Sequence, residues 1–421
     1  MAAHDVFEEW NTYAQRIKLK NRDLDLDSII KDAEHKIVAL TGIRRSGKSS
    51  LLMLLLQRLN GKNQKAAYIN AEDTRLRNTP NILDEALRWF GDEGYLLIDE
   101  VTNAQDWEGW LARNHELLKE RLHLIVTSSR RGLSEPSRPL RGRILQIEVY
   151  PLSFREFLDF RGIIPEKTTA GRGKTQRILE EYVTYGGYPE IALSDNPTDK
   201  IRILGSYFHD IVSLDIAEAS RIEVSLVETL TRYMVDTPNF SATKAHNYLK
   251  SLGYKVGKET ILSLQGYAES GYLFLFTNIF SYKVKDRLLY PRHCYCGDTG
   301  FYYTMTGRVD LGRLYEGAVM IELRRRLKPG ESLHYWKNQD SEIDFIITRG
   351  TAAVRAIQVS VDIHEARALK RELDAFKRCK SDIDPAEMRL LTLNPEYARS
   401  PNAGVTVSHL ANWLLGEDQH P

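Results

Sequence analysis

Residues 36–57 read KIVALTGIRRSGKSSLLMLLLQ, and the rest of the chain is best understood outward from them. Ile37 to Leu40 form a short apolar run, Gly42 to Ser49 spell G-x-x-x-x-G-K-S, and a leucine-rich stretch from Ser50 to Leu59 follows at once. Strand, glycine loop and helix in that order are the context a phosphate-binding loop requires. The glycines let main-chain amides turn toward phosphate oxygens at a helix N-terminus, Lys48 adds a point charge at the β and γ phosphates, and the Ser49 hydroxyl is a ligand for Mg2+. The expected cradle for ATP is therefore Gly42, Ile43, Arg44, Arg45, Ser46, Gly47, Lys48, Ser49 and Ser50.

Such a loop needs an acid on a neighbouring strand. The run YLLIDEV, Tyr95 to Val101, ends in one. Asp99 is expected to hold Mg2+, directly or through water, and Glu100 to orient the attacking water. A further apolar run, HLIVTSS from His123 to Ser129, ends in hydroxyl residues, and strand ends of a parallel sheet gather at the nucleotide edge. Thr127, Ser128 or Ser129 is thus placed to sense the γ phosphate. AAYIN, Ala66 to Asn70, completes the sheet and brings Glu72 or Asp73 to the same edge. After it, Arg130, Arg131, Arg138, Arg141 and Arg143 crowd a loop broken by Pro136 and Pro139. That loop reads equally as a source of a transition-state cation, a nucleic-acid backbone patch or a solvated surface.

Composition sets the frame around these motifs. The chain has 421 residues, 42% of them hydrophobic and 27% charged, enough for several soluble domains. Its formal charge of +1 leaves no global basic field, so any nucleic-acid contact must be local. Cys294, Cys296 and Cys379 are too few for a disulfide framework, the N-terminus lacks an apolar signal core, and no membrane-spanning run is present; a cytoplasmic protein is expected. The cluster HCYC, His293 to Cys296, has no second ligand pair at zinc spacing.

Several strings together resemble one family: GIRRSGKSSLL, LLIDEV, TSSR, LRGRI, VYPLSFREFL and YGGYPE, then LYEGAVMIELRRRL, YWKNQDSEIDFII and IQVS. They look like the bacterial and archaeal P-loop ATPases of the AAA+ superfamily that carry a C-terminal DUF4143 domain. The resemblance implies an α/β P-loop NTPase sheet with a helical lid, then a winged helix, then a restriction-endonuclease-like α/β domain. It also marks Arg143, in LRGR, as the counterpart of the nucleotide-sensing arginine, acting within its own chain or on a neighbour in a homo-oligomer. The expected division is 1–28 as an N-terminal extension, 29–215 as ATPase with lid, 216–282 as winged helix and 283–421 as the DUF4143 domain.

In the middle of the chain, SFREFLDF and RILEEYVTY have helical spacing and GGYP, Gly186 to Pro189, ends that segment. Three short helical patterns and a strand follow, with Lys244, Lys255 and Lys258 as candidate DNA contacts and Ser263 and Gln265 on the recognition-type helix. Further on, endonucleases of the implied fold set a helix Glu, a strand Asp and a Glu-x-Lys pair around a metal. Here the candidates are Glu316, Asp344 and Gln358, and the last pair reads Gln358-Val359-Ser360, without its lysine. Lys337 or Lys370 would have to replace it for cleavage. The leading expectation is an ATPase, using ATP and Mg2+, that couples its nucleotide state to the C-terminal modules on DNA, including branched or junction DNA. A nucleotide-gated switch for a protein partner and an ATP-dependent nuclease are the alternatives.

Overall fold

The computed structural model describes residues 2–76, 79–129, 138–166, 168–361, 363–394 and 404–417. Its internal contacts divide the chain into two compact units, Met1–Pro151 and Leu152–Pro421.

The first unit is built on five parallel strands: β1 (Ile37–Thr41), β2 (Ala66–Asn70), β3 (Gly94–Asp99), β4 (Leu122–Ser128) and β5 (Ile144–Glu148). They lie side by side in the order β2-β3-β4-β1-β5, which is the α/β fold of P-loop NTPases. Strand β4 stands between the loop-bearing β1 and the acid-bearing β3, so the ends of all three converge on one edge. The strands read as unbroken apolar runs because both faces are covered: Val38 and Leu40 face one buried cluster, Ile37 and Ala39 the other.

Part of the segment 1–28, expected outside this domain, contributes to its core. Helix α1 (Ala3–Arg16) sends Val6 and Phe7 into one cluster and Ala14 into the other. Its Asn11 side chain accepts the amide proton of Tyr68 at 3.1 Å, which satisfies a donor on edge strand β2. Gln57 caps the helix end by donating to the carbonyls of Ala14 and Ile17 at 2.8 and 2.9 Å.

The second unit opens with a helix, Phe154–Phe160, started by a capping box in which Ser153 and Glu156 each accept the other's amide. The segment expected to be a lid within 29–215 therefore clusters with the later domains. Next comes the order helix Val224–Asp236, β6 (Asn239–Phe240), helix Ala242–Ser251, helix Lys258–Ser270, β7 (Phe274–Ile279) and β8 (Arg292–Cys296), with β8 paired to both β6 and β7. Ser241 sits at the N-cap of its helix but makes no capping bond, and Gln265 is buried rather than on the outer face of Lys258–Ser270. The rest is helix Leu311–Arg326, β9 (Glu331–Lys337), β10 (Glu342–Arg349), β11 (Ala352–Val359), helix Ala366–Ile383, β12 (Glu387–Thr392) and β13 (Val405–His409). The boundary expected at 282/283 does not interrupt the sheet, because β7 pairs with β8 on one side and with β9 on the other. One mixed sheet results, ordered β13-β12-β11-β10-β9-β7-β8-β6. Among the described residues no helix is long and apolar enough to cross a membrane.

The YGGYP turn has a partner far along the chain. Asp298 is fully buried and accepts the amide protons of Gly187 at 2.8 Å and Gly300 at 2.9 Å. Burial pushes its carboxyl up to about 7, against those two bonds. The protonated form is therefore favoured by folding, and the sign of the pH effect follows: this group's contribution is fully present below about pH 4 and is lost as pH rises through about 7, with an upper bound of ~4 kcal/mol. We expect chemical denaturation to show a flatter stability profile between pH 4 and 7 for Asp298→Asn than for the wild type; parallel profiles would contradict this assignment.

Candidate functional site

The loop after β1 is shaped by backbone that only some residues accept. Gly42 has φ +143° and a Cβ there would collide with the Val149 carbonyl, while Arg45 (φ 69°) and Gly47 (φ 100°) turn successive amides inward. Lys48 is buried and its ammonium donates to the carbonyls of Gly42 and Ile43 at 2.9 and 3.0 Å. Ser46 is fully buried, yet its hydroxyl has no hydrogen-bond partner among the described residues. A buried donor without an acceptor inside a cationic loop fits a phosphate oxygen. Arg44 is steadied by Glu72 across 3.8 Å, so Glu72 does reach this edge, whereas Asp73 is turned to Trp10 and Arg75.

One contributor went unread in the sequence. Arg22, from the segment before β1, donates to the Ser46 carbonyl at 2.8 Å and the Tyr150 carbonyl at 3.0 Å, tying the loop to the end of the domain. Nothing local in the sequence signals that role.

At the end of β3, Asp99 is fully buried and receives three side-chain hydrogen bonds, from Thr127, Ser49 and Tyr68, the last at 2.8 Å. Burial and then the neighbouring Glu100 raise its carboxyl above the usual range. Ser49 and Asp99, the two expected metal ligands, are thus hydrogen-bonded to each other, and a divalent cation between them would relieve the carboxylate's desolvation. Tyr68 was also missed. It lies in an apolar strand where its hydroxyl, held protonated by burial and by Asp99, aims the acid. We expect Tyr68→Phe to raise the Mg2+ concentration for half-maximal turnover by about tenfold, as loss of an outer partner of a metal ligand does; an unchanged Mg2+ titration would remove Tyr68 from the site.

Glu100 adopts a left-handed backbone (φ 48°, ψ 49°), an uncommon state for a residue with a side chain. Its amide donates to the Thr127 hydroxyl at 2.8 Å, and its carboxylate accepts both the Ser129 hydroxyl at 2.7 Å and the Ser129 amide at 3.1 Å. Of the three hydroxyl residues closing β4, Thr127 serves Asp99, Ser128 meets Thr102 at 2.8 Å, and Ser129 serves Glu100.

Arg143 is elsewhere. Its carbonyl accepts the Ile37 amide at the start of β1, which puts it at the sheet edge opposite the loop, roughly 16 Å away along the strand. Its guanidinium donates to Pro139 and to Glu116, with Nε buried and unpartnered among the described residues. It does not join the phosphate loop of its own chain. Arg130 and Arg131 lie outside the described residues.

Comparison with known proteins gives the chain a family. Residues 34–158 match the model of an AAA domain, 311–412 that of DUF4143, and 176–311 that of a further domain of unknown function, DUF8612. An uncharacterized protein of Methanocaldococcus jannaschii is 30% identical over 397 residues, spanning 91% of this chain and 87% of its own. The chain belongs to the AAA-domain family that carries DUF4143. An uncharacterized Haemophilus influenzae protein is 26% identical, over 90% and 94% of the two chains. Among solved structures, the replication initiator DnaA bound to AMPPCP and single-stranded DNA aligns over 61% of this chain and 91% of its own, at 14% identity and a TM-score of 0.30. AMPPCP-bound DnaA from Aquifex aeolicus aligns at 13% identity over 61% and 90%, with a TM-score of 0.27. Both overlays are loose.

In the DUF4143 portion of this family member, Asp344 and Gln358 meet, and Glu316 is near enough for its charge to act on Asp344. The Gln358 side-chain oxygen Oε1 accepts the Asp344 main-chain amide at 3.0 Å, and the Asp344 carboxylate accepts the Val359 amide at 2.8 Å. Burial, then nearby carboxylates, push Glu316 up to about 7 and Asp344 well above its ordinary value. Lys337 does not reach them: its ammonium binds Glu342 at 2.6 Å, and Glu342 also meets His293 at 3.0 Å. Lys370 is exposed and makes no bond with Glu316, Asp344 or Gln358. Among the described residues no group of three or more His, Cys, Asp or Glu is arranged to hold a metal.

Proposed function

We propose that the protein is a Mg2+-dependent ATPase that couples its nucleotide state to work on DNA. The observation that carries the ATPase reading is the hydrogen bond that the Ser49 hydroxyl donates to Asp99, beside a loop whose Ser46 hydroxyl lacks a partner among the described residues. Bound Mg2+ would neutralise charge on the transferred phosphate. Around it, Lys48 exchanges its two carbonyl partners for phosphate oxygens. Ser46 gains an acceptor, and Ser129 holds Glu100 until a γ phosphate competes for the same hydroxyl. The steady-state test is ATP hydrolysis alone and with single-stranded, duplex and four-way-junction DNA at low salt. Several-fold stimulation by one form supports the coupling, and turnover indifferent to all of them refutes it.

The DNA part rests on element order. Helix Val224–Asp236 to β8 follows the succession of a winged helix, and Lys244, Lys255 and Lys258 are exposed on or beside its second and third helices. We expect Lys255→Gln with Lys258→Gln to weaken DNA binding similarly across sequences and to shallow its salt dependence by about two counterions; an unaltered salt slope would exclude these lysines as contacts. Order Leu311–Arg326, β9, β10, β11, Ala366–Ile383, β12 supports an endonuclease-like scaffold, but with Lys337 committed to Glu342 we assign it no cleavage.

A second reading, a nucleotide-gated switch for a protein partner, is favoured by Tyr248, Leu252 and Leu262, which are 39%, 52% and 54% exposed on the same two helices or just after them. Arg143, at the edge opposite its own loop, would serve the loop of a neighbouring copy. In that arrangement Arg143→Ala retains ATP binding, loses turnover, and removes any rise of specific activity with protein concentration; a fully active variant would refute it.

A further inference from the structure

Strand β12 is an inner strand of the eight-stranded sheet, flanked by β11 and β13. Inner strands of mixed α/β sheets are ordinarily apolar on both faces. One face here obeys: Ala356, Met388 and Leu390 meet Phe376 and Cys379 of helix Ala366–Ile383. The alternate positions point the other way, and they read Arg355 and Ile357 on β11, then Glu387 and Arg389 on β12. Over this polar row lies a cleft of about 730 Å3, with Lys328, Arg355, Arg389, Thr406 and Glu417 among its lining residues. One wall is fixed by Arg326, which stacks on Trp413 at 4.5 Å and bonds Glu322 at 2.6 Å.

The lining is not internally satisfied. One terminal nitrogen of Arg355, Nη2, takes both oxygens of Glu331 at 3.0 and 2.9 Å, which leaves its Nε and Nη1 without a partner among the described residues. The Lys328 ammonium, the Thr406 hydroxyl and the Glu417 carboxylate likewise have none. Arg389, by contrast, is committed to Glu387 and Ser408. The cleft thus offers the Lys328 ammonium, the remaining N–H donors of an Arg355 already paired with Glu331, a hydroxyl and a carboxylate acceptor, over a floor that includes Ile357. Its volume falls in the range of roughly 300–1,000 Å3 that small ligands occupy.

We propose that this cleft binds a free mononucleotide, with the phosphate on Arg355 and Lys328 and the sugar or base donors on Glu417 and Thr406. The site is independent of the phosphate loop, and nothing in it requires the ATPase reading. Inorganic phosphate would leave most of the volume and the carboxylate unused. A nucleic-acid backbone would present the phosphate without filling the cleft.

The test is titration calorimetry on the full chain carrying Lys48→Ala, so that the phosphate loop contributes no nucleotide binding. AMP, GMP, CMP and UMP are titrated separately, with inorganic phosphate and a single-stranded oligonucleotide as the other arms. We expect at least one mononucleotide to bind saturably with Kd below about 1 mM. We further expect Lys328→Gln and Arg355→Lys each to weaken it about tenfold with unchanged melting temperature, the lysine at 355 keeping the Glu331 ion pair. Lys328 is exposed and its ammonium has no partner among the described residues, so its variant decides the matter alone if Arg355→Lys fails to fold. No saturable nucleotide binding, binding indifferent to Lys328→Gln, phosphate binding as tightly as any nucleotide, or binding of the oligonucleotide alone would each overturn the proposal.

Discussion

Glu100→Gln lowers ATP turnover by about a hundredfold or more while ATP binding stays within a few fold of the wild type. The amide is isosteric and its one oxygen still accepts the Ser129 hydroxyl, while the Ser129 amide loses its acceptor; the turn at φ 48° and the Thr127 bond, which involve the Glu100 main chain, are kept. What disappears is the negative charge proposed to orient the attacking water. Radioactive phosphate release gives the rate, and a fluorescent ATP analogue gives the affinity. Lys48→Ala supplies the contrast, because removing the loop's buried ammonium abolishes binding itself. A Glu100→Gln protein that hydrolyses at the wild-type rate would show that Glu100 is a structural turn residue and would leave the ATPase reading without its base. Loss of both binding and turnover would instead place Glu100 in the fold of the loop.

The second large effect is on stability. Gly186→Ala should cost at least ~3 kcal/mol in a urea titration, or prevent folding. Gly186 has φ +81°, where a Cβ is penalised, and that Cβ would fall within the van der Waals envelope of the buried Asp298 carboxylate. Gly300 and Gly187 are constrained in the same way by the carbonyls of Tyr185 and Leu152. Gly173, in helix Thr169–Tyr185, meets nothing within 4 Å, so Gly173→Ala serves as the control and should be neutral or mildly stabilising. Equal midpoints for the two alanine variants would disprove the Asp298 clasp.

Legibility in the sequence followed range. The phosphate loop, Asp99, Glu100 and the closing hydroxyls were readable because each rests on a few contiguous residues that fold into one strand end. The hydroxyls' division of labour was not, since which of Thr127, Ser128 and Ser129 faces Asp99 or Glu100 depends on the register between β3 and β4. Tyr68 and Arg22 were invisible for the same reason: their partners lie 31 and 24 residues away and their surroundings carry no motif. YGGYP was visible as a helix stop, but its cause sits 111 residues later in CGDTG, from Gly187 to Asp298. Arg143 shows the limit of family likeness, which indicated the residue while leaving open which chain's nucleotide it could meet. That the sheet continues past residue 282 was not legible, because the pairing that crosses it, Asn278 with His334 and Ile279 with Tyr335, is short and parallel, and no turn announces it.

That short parallel ladder has a consequence for how the C-terminal half unfolds. Strand β7 pairs through residues 274–277 with β8 and through Asn278 and Ile279 with β9, so it links the two ladders, and opening the β8 ladder exposes the buried Phe274, Leu275 and Phe276 to water. Amides of β7 and β9 should then exchange their protons with solvent in a single cooperative step, and a protein cut between residues 282 and 283 would yield two adhesive fragments rather than two modules.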